Sequence, residues 1–231
     1  MRTGMNEKDW ETINKQNRRN YDQYGYSPAT LGWNKGKQDI RFDILTSFFE
    51  LNDKSVMDVG CGFGDLLPFL RKIGWGGQYT GYDITSEFVK QAQKFHMEDK
   101  KAVFKISDFL NEKAAHEADI ILASGTFNYK FRHTDNYGFI RNCFHKAYQL
   151  AGEGIAFNFL SDKVDWKYDH AWYSNPSVIL EIAYEISRNV ALRNDYMPFE
   201  FSVAIYKDDS FEKEDTLFNR YKALSKYYDG E

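Results

Sequence analysis

Asp58-Val59-Gly60-Cys61-Gly62-Phe63-Gly64-Asp65 is the stretch on which the fold turns. Its three glycines follow a short apolar run, Ser55–Val59, and precede a helical run, Leu66–Ile73, that stops at Gly74. A strand feeding a glycine-rich turn that opens a helix sets bare backbone N–H groups at the strand's carboxyl end, where open α/β sheets bind ligands. Glycine serves there because a side chain would block a ligand's close approach, or because the turn demands positive φ.

Outward from that turn the pattern alternates. Tyr79–Tyr82 reads as a second strand, Ser86–Phe95 as a helix capped by Ser86, and Ala102–Ile106 as a third strand. Asp119–Ala123 (DIILA) is nearly all apolar, as a strand buried on both faces would be. Asp135–Leu150 reads as a helix and Gly154–Leu160 as a fifth strand. The alternation predicts βαβ units around a parallel sheet. The rhythm then breaks: a helix over Pro176–Arg188, short and longer strands over Val190–Arg193 and Phe199–Tyr206, and an amphipathic helix over Phe211–Tyr228. Upstream, Glu7–Tyr24 reads as a lightly packed surface helix or lid, and Gly25–Gly36 as a loop. Ile40, Ile44, Leu45, Phe48 and Phe49 recur at helical spacing through Leu51.

A chain of 231 residues with 42% hydrophobic side chains suits one domain with a sizeable core. The formal charge of -4 gives no global reason to expect a nucleic-acid partner, and none is expected. Cys61 and Cys143 are too few for a disulfide framework and lie at no metal-ligand spacing; they suit a reducing, cytoplasmic compartment. No metal site is expected. Met1 to Asp22 is polar, unlike a secretory leader, and no apolar run approaches the ~20 residues of a membrane span.

The glycine spacing narrows the ligand. The dinucleotide fingerprint is G-x-G-x-x-G, whereas Gly60, Gly62 and Gly64 fall as G-x-G-x-G, with Asp65 three residues after Gly62. A carboxylate there would repel a pyrophosphate, which disfavours a nicotinamide oxidoreductase. A phosphate-free ligand with a cationic amino-acid end tolerates it better, and S-adenosylmethionine is one. Asp83, 23 residues after Gly60, ends the second strand and can accept both hydroxyl hydrogens of a ribose.

VMDVGCGFGDL, GYDIT, FKISDFL and ADIILASGTFNY, in that order, resemble the successive motifs of class I S-adenosylmethionine-dependent methyltransferases, over roughly Lys54 to Leu160. The resemblance implies a Rossmann-like, doubly wound α/β sheet of seven strands, mostly parallel, with one antiparallel strand near the C-terminus. It implies one methyltransferase domain over 1–231: a cap and leading helix (1–53), a cofactor-binding core (54–160), and a substrate-side insertion with the last strands and helix (161–231). Around the cofactor it places Asp58, Gly60, Cys61, Gly62, Gly64 and Asp65, the three glycines lining the methionine part. Asp83 holds the ribose with Ile84 against the adenine, Asp108 and Phe109 address the adenine, and Ser124 and Gly125 lie beneath the sulfonium. A basic residue before strand one pairs with the methionine carboxylate in several relatives, and Arg41, 19 residues before Gly60, is the candidate. Trp33 would cap the cofactor or wall the substrate. Plainer roles stay open: Asp58 as a strand-end residue, Asp65 as a helix-dipole partner, Asp108 as a loop cap, Arg41 in a surface ion pair, Trp33 in core-edge packing.

Methyl transfer from a sulfonium is an in-line displacement, so alignment and exclusion of water are the main tasks. A hydroxyl acceptor also needs a base. His133, in the loop after strand four, and His170, in the aromatic stretch Trp166–Tyr173 after strand five, are the catalytic candidates, with Asp162 behind them. Either histidine could equally be a solvent-exposed loop residue. The expected acceptor is a small molecule, methylated at oxygen and sugar-derived. A nucleic-acid methyltransferase and a cofactor-binding protein without catalysis are the alternatives, and the oligomeric state is open.

Overall fold

A computed structural model of the chain describes residues 4–32, 37–111, 118–208, 216–219 and 221–222. Trp33 and two thirds of the helix expected over 211–228 lie outside the described residues. Two helices lead: α1 (Glu7–Tyr24) and α2 (Gln38–Thr46). Then follow β1 (Val56–Val59), α3 (Leu66–Lys72), β2 (Tyr79–Asp83), α4 (Ser86–Phe95), β3 (Ala102–Ile106) and β4 (Ala118–Ala123). The remainder is α5 (Asn136–Leu150), β5 (Ala151–Leu160), α6 (Pro176–Tyr184), β6 (Val190–Arg193) and β7 (Glu200–Tyr206).

The seven strands form one sheet in the order β3-β2-β1-β4-β5-β7-β6. β1 to β5 are parallel, and β7 runs antiparallel to both β5 and β6. The order reverses at β1, which pairs β2 on one side and β4 on the other. The turn after β1 therefore opens at a topological switch point, where the connections diverge to opposite sides and leave a crevice.

Apolar side chains on the two sheet faces make two cores, giving three layers. One joins Met57, Ile121, Phe157 and Phe201 to α5 and α6 through Phe144 and Ile182. The other joins Val56, Ile120 and Ala204 to α2, α3 and α4 through Leu45, Leu70 and Val89. β4 is buried at five of its six positions, as its sequence requires.

Helix starts follow local chemistry. Asp135 caps α5 by accepting from the N–H groups of Tyr137 and Gly138, and Asn175 caps α6 with Pro176 in its first turn. Several boundaries differ from the sequence reading. Ser86 does not cap α4: the cap position is Thr85, whose Oγ1 accepts from Asn17, while the Ser86 hydroxyl turns to Glu87. β5 begins at Ala151, with no loop after α5. α2 ends at Thr46 rather than Leu51, and Ile40 faces solvent.

α1 is the largest departure. It is bound down by polar side chains rather than lightly packed. Asp9, Asn14 and Asn17 are buried alongside Ile13. The Asp9 carboxylate accepts from the N–H groups of Arg132 and His133 at 3.0 and 2.9 Å, tying the helix to the loop after β4. These bonds, opposing the effect of burial, hold the Asp9 carboxyl below its ordinary range.

Candidate functional site

A pocket opens at the carboxyl ends of β1, β2 and β4. Asp58 to Gly62 floor it, Asp83, Ile84, Asp108 and Phe109 wall one side, and Ser124, Gly125, Thr126 and Tyr129 wall another. Met5, Ile13 and Asn17 of the N-terminal segment roof it, and Gln38 and Phe42 of α2 close it near the glycines.

The glycine turn takes its shape from its residues. Gly60 has φ +76, and a Cβ there would lie 2.3 Å from the Thr126 hydroxyl, which donates to the Val59 carbonyl. Only glycine satisfies both the conformation and that approach. Gly64, at φ +78, would drive a Cβ to 2.5 Å from the Phe104 ring, so its role is packing of α3 against β3.

Three carboxyl groups line the pocket, those of Asp58, Asp83 and Asp108, and no lysine, arginine or histidine among the described residues does. Asp58 is buried and accepts from the Tyr79 hydroxyl at 2.7 Å. Burial, opposed by that bond and aided by the charges of Asp83 and Asp65, pushes its carboxyl up to about 7. Asp83 is also raised by burial, although its oxygens accept from the N–H groups of Gly62 and Thr85 at 3.0 and 2.7 Å. Those two bonds aim the carboxylate and leave lone pairs for a ligand's hydroxyls. The Cys61 thiol is pushed well up, first by burial and then by Asp83 and Asp58, which keeps it from nucleophilic use. A pocket of buried acids without a basic partner repels phosphate and is relieved by a cation. The Tyr82 hydroxyl is buried without a hydrogen-bond partner among the described residues.

Of the sequence-derived residues, Asp58, Gly60, Cys61, Gly62, Asp83, Ile84, Asp108, Phe109, Ser124 and Gly125 come together around this pocket. The oxygens of Asp108 also accept from the Leu110 N–H and the Asn111 amide, so it is a loop cap as well. Gly64 and Asp65 lie outside the lining; Asp65 accepts from the Tyr26 hydroxyl at 2.8 Å. Arg41 is displaced from its expected role. It is buried and grips Glu200 of β7 with two nitrogens, because α2 lays that face on the sheet. His133 and His170 are both exposed and outside the lining. Asp162, half-buried, accepts from the Asn175 amide.

Sequence reasoning passed over Asn17 and Tyr129. The Tyr129 hydroxyl donates to Asn17 Oδ1 at 2.7 Å, and Asn17 Nδ2 donates to Thr85 Oγ1 at 2.8 Å, a bridge across the pocket from the β4 loop to the start of α4. Burial, then the Asp83 charge, raises the Tyr129 phenol to about 12, so it stays a neutral donor. One signal could have found the pair: two asparagines, Asn14 and Asn17, on the face of α1 that carries Ile13.

Residues 50–161 match the model of a methyltransferase domain family. A protein of Mycobacterium tuberculosis named "putative methyltransferase" is 30% identical over 159 residues, covering 66% of this chain and 93% of that one. An invertebrate iridescent virus 6 protein, also described as a "putative methyltransferase", is 26% identical over 147 residues, covering 60% of this chain and 54% of that one. Among solved structures, magnesium protoporphyrin IX methyltransferase from Synechocystis, with S-adenosylmethionine bound, superposes with a TM-score of 0.60 at 15% identity, over 89% of this chain and 99% of that one. The glycine turn at the switch point, the acid-lined, base-free pocket and these likenesses agree: the chain belongs to the class I S-adenosylmethionine-dependent methyltransferases.

Proposed function

We propose that the chain transfers the cofactor's methyl group to a hydroxyl of a small, sugar-derived acceptor, with His170 as the base. The observation that carries this reading is the joining of two loops. Tyr129, at the pocket wall, forms a β-bridge with Ala171, and the Trp172 N–H donates to the Asn128 carbonyl at 2.9 Å. The stretch after β5 is thereby held beside the β4 side of the pocket, and it carries exposed Trp166, Tyr168 and His170. Exposed aromatic faces suit a sugar or another ring. His170 immediately precedes the bridge residue and stands 5.4 Å from the Tyr168 ring, which places it in the joined aromatic stretch, as His133 is not.

S-adenosylmethionine supplies a methyl group activated on a sulfonium. The chain's own residues do the rest. Asp83 would hold the ribose, Asp108, Phe109 and Ile84 the adenine, and Gly60 and Gly62 the methionine part, with Ser124 and Gly125 beneath the sulfur. Residues 1–53 act as a cap whose α1 excludes water from the pocket, 54–160 as the cofactor core, and 161–231 as the acceptor side. His170 would take the acceptor's proton as the hydroxyl attacks. The free, buried thiols of Cys61 and Cys143 support a cytoplasmic setting.

A screen of sugar nucleotides and small hydroxylated metabolites with methyl-labelled cofactor tests the reading. With a hydroxyl acceptor found, His170→Ala should lower turnover about 100-fold. Transfer only to amines, or an unaltered rate in that variant, would discard it.

A further inference from the structure

Between α2 and the carboxyl ends of the strands lies a polar cluster in an otherwise apolar layer. Arg41, Asn158 and Glu200 are all buried, Asn158 completely. Arg41 donates from Nε to Glu200 Oε2 at 2.7 Å and from a second nitrogen to Oε1. Asn158 Nδ2 donates to the same Oε2 at 3.2 Å, and Asn158 Oδ1 accepts the Gly125 N–H at 2.7 Å. A directed chain of bonds thus runs from the leading helix to the turn after β4.

A buried ion pair seldom adds net stability over apolar packing, so its presence invites another explanation. Direction supplies one. The Gly125 N–H can only donate, so Asn158 must turn its oxygen toward it. The two ends of a carboxamide have nearly the same shape, and either could face Gly125. Glu200, an acceptor only, removes that freedom by demanding the NH2 end. Arg41 in turn fixes Glu200 with two bonds. Gly125 has φ +75 and lines the pocket with Ser124 and Thr126.

We propose that Asn158, oriented by the Arg41–Glu200 pair, is a positioning residue that sets the Ser124–Gly125–Thr126 turn against the methionine end of the cofactor. The inference rests on the placement of that turn beneath the sulfonium. Arg41 then serves the cofactor at a distance, through Glu200, Asn158 and Gly125, without touching it.

Titration calorimetry with two ligands tests this. S-adenosylmethionine carries the amino-acid end, whereas 5′-methylthioadenosine lacks it and keeps the adenosine. Asn158→Asp sets two carboxylates face to face, and Glu200→Gln removes the carboxylate that Arg41 and Asn158 share. In the double variant the introduced amide donates to the introduced carboxylate, which still accepts from Gly125, while Arg41 keeps the amide oxygen and loses the acceptor at Nε. Each single variant should weaken S-adenosylmethionine about tenfold or more and methylthioadenosine less than about twofold, with the double variant closer to the unaltered protein than either single one. Should a single variant fail to fold, Asn158→Ser, whose short side chain cannot reach both partners, replaces it under the same criteria. Equal losses for both ligands, no loss in a folded single variant, or a double variant that regains its melting temperature but not its affinity would each overturn the proposal. An unaltered protein that binds methylthioadenosine and S-adenosylmethionine equally would instead remove the placement of the turn beneath the sulfonium.

Discussion

The segment from β1 to β3 holds its pocket groups by main chain, whereas the loops after β4 and β5 hold theirs by side chains from distant parts of the sequence. On the first side, Asp83 is aimed by the N–H groups of Gly62 and Thr85, and the Gly60 and Cys61 N–H groups both donate to the Tyr82 carbonyl. On the second, Gly125 depends on Asn158, Tyr129 on Asn17, and the 132–133 backbone on Asp9. Main-chain scaffolding needs particular residues at fixed spacing. Side-chain scaffolding needs only a partner that folding happens to bring near. The first side is therefore built for one ligand and the second can be rebuilt for many.

The sharpest way to break this contrast is Gly60→Ala. The substitution meets both a positive φ and the Thr126 hydroxyl at 2.3 Å, each worth roughly 1–3 kcal/mol. Affinity for S-adenosylmethionine in calorimetry should fall about 100-fold or more. Adding Thr126→Ala should recover only the part due to the clash. Full recovery would mean that backbone conformation contributes nothing at this turn.

Asp83→Ala comes next. With Asp83 against the ribose, as proposed, loss of its charge-assisted bonds should cost about 1–3 kcal/mol, or roughly 10- to 100-fold in affinity. The aimed carboxylate also ties Gly62 to Thr85, so Asp83→Asn, which keeps one acceptor, should lose less. Equal losses in the two variants would place Asp83 in the scaffold rather than against the ligand.

How much of this was legible follows the same division. Gly60, Gly62, Asp83 and the DIILA strand were readable because turn geometry and burial on two faces each restrict residue type. Arg41 was misplaced because a count back from Gly60 says nothing of Glu200, 159 residues further along the chain. Asn17 is harder to read because a polar residue in an amphipathic helix ordinarily faces solvent, and only its place on the Ile13 face hints at its buried partners, Thr85 and Tyr129. His133 and His170 follow from residue type and from loops that leave the sheet at its carboxyl edge, and neither signal fixes side-chain direction: both are exposed and outside the pocket lining.

A smaller effect should come from pH. The Asp58 carboxyl, at about 7 against an ordinary 3.8, is protonated in the folded chain over a range where it is ionised in the unfolded one. Its contribution to stability is therefore full below about pH 4 and falls away as the pH rises toward 7, and Asp58→Asn should flatten that decline in melting temperature. A cationic ligand favours the ionised form, so binding should release a proton. S-adenosylmethionine affinity should rise by up to about tenfold from pH 6 to 8, beyond the slope that Asp58→Asn retains. Identical slopes in the two proteins would assign the linkage to Asp83, Asp65 or the ligand itself.

The smallest effect is expected where the two sides should be independent. Trp166 is 58% exposed, its ring meets only Tyr168 among the ring contacts of the described residues, and it does not line the cofactor pocket. Replacing it with alanine should change folding stability by no more than about 0.5 kcal/mol, as is usual for surface positions. S-adenosylmethionine affinity should stay within about twofold, because none of the bonds that shape the glycine turn or aim Asp83 passes through residue 166. Its effect should appear only in the KM for the acceptor, once one is in hand, as lost contact area with little change in kcat. A tenfold loss of cofactor affinity in Trp166→Ala would mean that the loop after β5 reaches the cofactor when it binds. The main-chain and side-chain halves of the pocket would then be coupled by closure, and the acceptor loop could not vary freely from one relative to the next.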